Sequence, residues 1–91
     1  MNHPEIYATL QRVFDDLFIE PVRLHPTLAA ADVAEWDSLM QTSLVVAIER
    51  TFRVRFRMGE VERAANVGAL VELIATHLAA AQGTSAGGAH P

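Results

Sequence analysis

The chain has 91 residues, of which 51% are hydrophobic and none is cysteine, and its formal net charge is −4. That length supports one small domain, and the missing thiols exclude a disulfide framework and any cysteine-based metal site. The balance of 11 acids against 7 bases, all arginine, argues against general nucleic-acid binding, which calls for a basic face.

Residues 1–5 carry neither the basic start nor the apolar run of a signal peptide. No apolar run approaches the length that spans a bilayer, so a cytoplasmic protein that does not use a membrane is expected. Residues 4–18 read as a first helix. Pro4 suits the first helical position, and Ile6, Leu10, Val13, Phe14 and Leu17 recur at spacings of three and four, with Tyr7 and Phe18 widening the stripe. Pro21 and Pro26 exclude its continuation. Residues 19–37 therefore form a long loop with a short turn across 28–33, anchored by Leu24, Leu28 and Val33. A loop this long in a compact domain is usually functional or well packed.

The second helix is expected from Ser38 to Phe52. Asp37 and Ser38 are both good N-cap types, and Leu44, Val45, Ile48 and Phe52 form the stripe behind them. Ser38 is thereby expected to stand exposed at a helix mouth, where the macrodipole favours negative charge such as a phosphate. Arg53-Val54-Arg55-Phe56-Arg57-Met58 then alternates polar with apolar. Period two suggests a strand, yet no partner strand is present in the sequence. An extended segment pressing Val54 and Phe56 into a helical core is the better reading, with Phe52 and Phe56 both buried. Residues 60–64 suit a single helical turn. Asn66 is placed to cap a last helix with Val67, Leu70, Val71, Ile74 and Leu78 on its buried side. Residues 82–91 have a composition that favours a flexible tail, which leaves 1–81 as the folded unit. The expected fold is all-α: three main helices plus one short helix, with a long loop between helices one and two.

Charge is uneven along the chain. Residues 1–37 hold seven acids and two arginines, whereas residues 38–57 hold Glu49 against Arg50, Arg53, Arg55 and Arg57. As a hydrolase nucleophile, Ser38 would need a base and an oxyanion hole, and it lacks the flanking glycines of a nucleophile elbow. His25 and His77 read as a loop histidine and a helix-surface histidine, since no third ligand stands at useful spacing for a metal. The sole tryptophan, Trp36, reads as a loop aromatic packing against the bundle.

In residues and layout, Asp37-Ser38-Leu39 after a long first loop resembles the modification site of acyl and peptidyl carrier proteins. Leu44, Ile48, Glu49 and Phe52 stand where that family keeps its helix-two core and an acid. Residues 52–56 resemble its exit from that helix, and Asn66-Val67-Gly68 resembles the start of its last helix. The resemblance covers about residues 5–80. It implies a non-enzymatic, free-standing carrier domain over 1–81, a monomer, and a 4′-phosphopantetheine arm attached to Ser38 with Asp37 and Leu39 as the flanking motif. It also implies modification from coenzyme A by a phosphopantetheinyl transferase. Acyl-activating or acyl-transferring enzymes would then load an acyl, aminoacyl or polyketide cargo, held as a thioester. Leu39, Met40 and Val46 lie beside the arm, and with Glu49 and Arg50 form the expected partner contacts. Fatty-acid carriers are densely acidic along helix two, and Ser43 and Arg50 depart from that pattern, which points to a specialised pathway. The alternative is a small helical protein–protein interaction or nucleic-acid-binding module that uses the arginines of residues 50–57.

Overall fold

The computed structural model describes the backbone of residues 1–89 and the side chains of residues 1–81. Its first helix, α1 (His3–Leu17), starts on a capping box. The Asn2 side chain accepts from the Glu5 N–H and Glu5 Oε1 accepts from the Asn2 N–H, each at 2.9 Å. Helix α1 buries Ile6, Leu10, Val13 and Phe14, the stripe that the spacing predicts. Beyond Leu17 the chain turns extended at Phe18, which itself is buried. The Glu35 carboxylate holds this exit from across the loop, accepting from the Ile19 N–H at 3.1 Å and the Glu20 N–H at 2.8 Å.

The long loop is fastened along its whole course. Gln11 on α1 donates from Nε2 to the Val22 carbonyl at 2.7 Å and accepts at Oε1 from the Leu24 N–H at 3.1 Å. Val22 and Leu28 enter the core, with Leu24 and Val33 packed partly against it. Leu28 and Val33 sit as expected, whereas Val22 is a stronger anchor than Leu24. The turn expected across 28–33 is a short 3₁₀ turn at Ala30–Asp32.

Helix α2 (Ser38–Phe52) has the expected boundaries and buries Leu44, Ile48 and Phe52. It ends at Arg53, which is left-handed (φ 58°) and donates its N–H to the Glu49 carbonyl. Val54 is then buried, while Phe56 is only half-buried, against the expectation of full burial. Its ring meets His77 edge-on at 5.1 Å and so lies at the rim of the core. His77 is accordingly half-buried, not a bare surface histidine.

The short helix expected at residues 60–64 is instead a run of turns over 58–63. Gly59 takes φ 80°, which starts the turn outside helical geometry, and Val61 drops into the core at 5% exposure. Glu60 fastens the run. Its Oε1 accepts from the Arg57 N–H at 2.8 Å and pairs with His77 Nε2 at 2.9 Å. The Arg57 N–H, then the hydrogen bond and charge of His77, hold the Glu60 carboxyl below the ordinary glutamate value against the opposing effect of burial.

Helix α3 (Val67–Ala89) starts on Asn66, whose Oδ1 accepts from the Ala69 N–H at 2.9 Å. Val67, Leu70, Val71 and Ile74 are buried and Leu78 is half-buried. Its backbone runs past residue 81, the expected end of the folded unit, on an alanine run of high helix propensity (Ala79-Ala80-Ala81). The last two residues of the expected tail, 90–91, lie outside the described residues. Both α2 and α3 pack on α1. Among the described residues there is no strand, and no helix is long and apolar enough to cross a membrane.

Candidate functional site

The mouth of α2 is built by a division of labour between neighbouring residues. Asp37 is the N-cap, extended at φ −100° and ψ −172°, and its Oδ1 accepts from the Met40 N–H at 2.9 Å. Ser38 is the first helical residue. Only one of the two suitable cap residues serves as the cap, and it is Asp37. The Ser38 side chain is exposed, and among the described residues its hydroxyl has no hydrogen-bond partner; its carbonyl accepts from Thr42 Oγ1 at 3.2 Å. The hydroxyl therefore stands free at the positive end of a 15-residue helix dipole.

The residues just before the site are held rigidly. Trp36 packs edge-on against Phe14 at 5.2 Å and Phe18 at 6.2 Å. Its indole Nε1–H donates to Gln41 Oε1 at 2.6 Å. One contact grips α1 and the other grips α2, so the loop arrives at Ser38 in a fixed pose. Trp36 thus does more than cover the bundle, as a polar tip on an apolar body allows.

Beside Ser38 opens a groove of about 360 Å³ between the α2 mouth, the turns over 58–63 and the start of α3. Trp36, Val61 and Leu70 give it apolar wall, and Gln41, Glu62 and Asn66 give it polar groups. Of the groove's far wall, Asn66 and Leu70 are legible in the sequence as the cap and stripe of the last helix, whereas Val61 and Glu62 come to it through the turns that follow Gly59, which carry no periodic signal.

Of the other predicted contacts, Leu39 is 78% exposed and Val46 is 46% exposed, whereas Met40 is half-buried against the core. Glu49 does internal work: its Oε2 accepts from the Phe56 N–H at 2.8 Å and folds the exit back along α2. Arg50, in the last turn of α2, is exposed. The structure thus brings Asp37, Ser38 and Leu39 together at the mouth and sets Val46, Glu49 and Arg50 two to three turns away. The three described histidines that bond to other side chains do so away from Ser38: His3 with Glu72, His25 with Thr27, His77 with Glu60. Among the described residues no group of three or more histidines and carboxylates could hold a metal ion.

Comparison with known proteins agrees with this geometry. The family model described as a phosphopantetheine attachment site matches residues 21–74, which contain most of the long loop, α2 and most of the packed part of α3. Among solved structures, the solution structure of a holo acyl carrier protein from Geobacter metallireducens is 30% identical over 88% of each chain, with a TM-score of 0.70. No curated protein sequence matches the chain. With the attachment-site model covering more than half of the chain and the likeness to a holo acyl carrier protein covering most of it, the chain belongs to the phosphopantetheine-attachment family of acyl-carrier-like proteins, whose cofactor is a covalently held 4′-phosphopantetheine.

Proposed function

We propose that Ser38 is the attachment point of the arm, and that this carrier presents an acyl, aminoacyl or polyketide group to separate enzymes without catalysing a reaction itself. The observation that carries the reading is the free Ser38 hydroxyl at the first position of α2, with the cap supplied by Asp37. A serine that served as the cap would lose a structural bond on modification; this one loses none.

The chain's residues each have a part in that chemistry. Ser38 Oγ attacks a pyrophosphate phosphorus of coenzyme A in the active site of a phosphopantetheinyl transferase. A new Oγ–P bond forms as the pyrophosphate P–O bond breaks, the nucleotide half leaves with the other phosphate, and the hydroxyl proton passes to a base of the transferase. The α2 N-terminus then favours the phosphodiester charge beside it. When attached, the arm supplies a terminal thiol that holds cargo as a thioester. Trp36 and Asp37 keep the attachment point in place while that thiol moves, and the groove from Ser38 to Asn66 gives the arm a wall to lie against.

The test is an intact mass after incubation with coenzyme A and a permissive transferase. The expected result is a gain of one phosphopantetheine in the wild type and none in a folded Ser38→Ala. No gain by a folded wild type, or an equal gain by Ser38→Ala, overturns the assignment.

A further inference from the structure

The exposed face of α2 and the segment after it carry a pattern that the fold does not use up. Leu39 and Val46 are seven residues apart and therefore two turns apart on one side of the helix. Arg50 continues that side by one more turn, and Arg53 and Arg55 follow on the exit, all three exposed. With Val46, Glu49 and Val54 these arginines line a shallow cleft of about 400 Å³. Among the described residues none of them forms an ion pair; the two pairs present are His3–Glu72 and His77–Glu60. The one carboxylate within the stretch, Glu49, is spent on the Phe56 N–H. The helix dipole accounts for Arg50, which lies in the last turn of α2. It accounts for neither Arg53 nor Arg55, which lie beyond the helix end.

We propose that this face is the docking surface for a partner protein whose contact site is acidic around an apolar patch. Carboxylates of the partner would meet the arginines, and Leu39 and Val46 would enter the patch. An unpaired guanidinium is matched in shape by a carboxylate, which it binds through two parallel hydrogen bonds. Three guanidiniums around one cleft repel each other until such partners arrive. A protein is favoured over a nucleic acid on two counts. A strand-binding groove offers aromatic platforms on which bases stack, whereas Trp36 is packed on α1 and Phe56 is half-buried against His77. The chain as a whole is at −4, so a long polyanion meets net repulsion outside the cleft.

This inference rests on the carrier reading only in taking the face next to Ser38 as the one that a partner enzyme meets, and its test needs no modification. The ¹⁵N-labelled full chain is titrated with a synthetic amphipathic helical peptide that has leucines along one side flanked by glutamates. The same peptide with lysines in place of glutamates, and single-stranded oligothymidylate, are run in parallel. Expected are shifts confined to residues 39–57, with affinity lowered about tenfold or more in Arg53→Glu/Arg55→Glu and a smaller difference at high salt. Arg50→Gln, which changes no backbone contact, serves as a second variant with a smaller loss, and circular dichroism confirms that both variants are folded. Failure of the glutamate peptide to bind, equal binding by the lysine peptide or oligothymidylate, shifts mapping elsewhere, or no loss in folded variants would overturn the proposal. Phosphopantetheine uptake, scored by intact mass on the same preparations, decides the carrier reading separately.

Discussion

Asp37 and Ser38 sit side by side and look interchangeable as caps, yet they are expected to respond unequally to truncation. Asp37→Ala removes the acceptor of the Met40 N–H and should cost about 1 kcal/mol of stability. Ser38→Ala removes an exposed hydroxyl without a partner and should stay within about 0.5 kcal/mol of wild type. Urea midpoints of the two variants check this ordering, and a larger loss in Ser38→Ala would reverse the assignment of the cap. Arg53 is the other residue whose backbone decides its effect. A non-glycine residue in the left-handed region bears a strain of roughly 1–2 kcal/mol that glycine does not, so Arg53→Gly should raise stability by about 0.5–1 kcal/mol. A midpoint at or below that of wild type would show that the Arg53 side chain makes a compensating contribution. The motif at Ser38 was legible because a cap and its helix are local. The left-handed Arg53 was not, because its conformation follows from Glu49 and Val54 being held on either side, and an arginine gives no sign of it.

The long loop and α3 are one mechanical unit. The carbonyls of Pro26 and Leu28 accept from the first N–H groups of α3, at Gly68 and Val67, at 2.9 and 2.8 Å. The loop thereby caps a helix that lies about forty residues away in sequence. Gly68 is required by that closeness, since a Cβ there would meet the Pro26 oxygen at 2.9 Å. Gly68→Ala should therefore cost about 1–3 kcal/mol, readable as a lower melting temperature. Thermal stability equal to wild type would mean that the loop yields more easily than its hydrogen bonds imply. The turns over 58–63 have their own fastening in Glu60. Because its folded carboxyl titrates below the ordinary value, its contribution is complete at neutral pH and is lost as pH falls through the folded pKa. Melting temperatures followed into the acid range should fall less steeply in Glu60→Gln than in wild type, with the variant starting lower at pH 7. Parallel curves would remove Glu60 from that role. Helix periodicity made all three helices readable in the sequence. The fastenings between them, through Gln11, Glu35 and Glu60, were not, because a polar side chain that reaches another segment's backbone leaves no spacing to detect.

Across the molecule, the core is one cluster that runs from Ile6 to Ile74 through the loop anchor Leu28 and the turn residue Val61. Among the described residues its apolar members reach Leu78, and the sequence of residues 83–91 has no apolar stripe, so their removal is expected to leave both the melting temperature and the uptake of phosphopantetheine unchanged. A drop in either would give that segment a role in folding or in transferase recognition. The all-α class and its three main helices were legible, whereas residues 58–63 form turns in place of the expected short helix; of the groove beside Ser38, Val61 and Glu62 were not legible, because those turns bring them to it. The grip of Trp36 on Phe14, Phe18 and Gln41 has one more consequence. As the sole tryptophan, two residues before Ser38, it is a built-in fluorophore at the proposed attachment point. Its emission wavelength and quenching therefore report in real time, without any label, whether the approach to the site is seated or loosened as a transferase or a loading enzyme arrives.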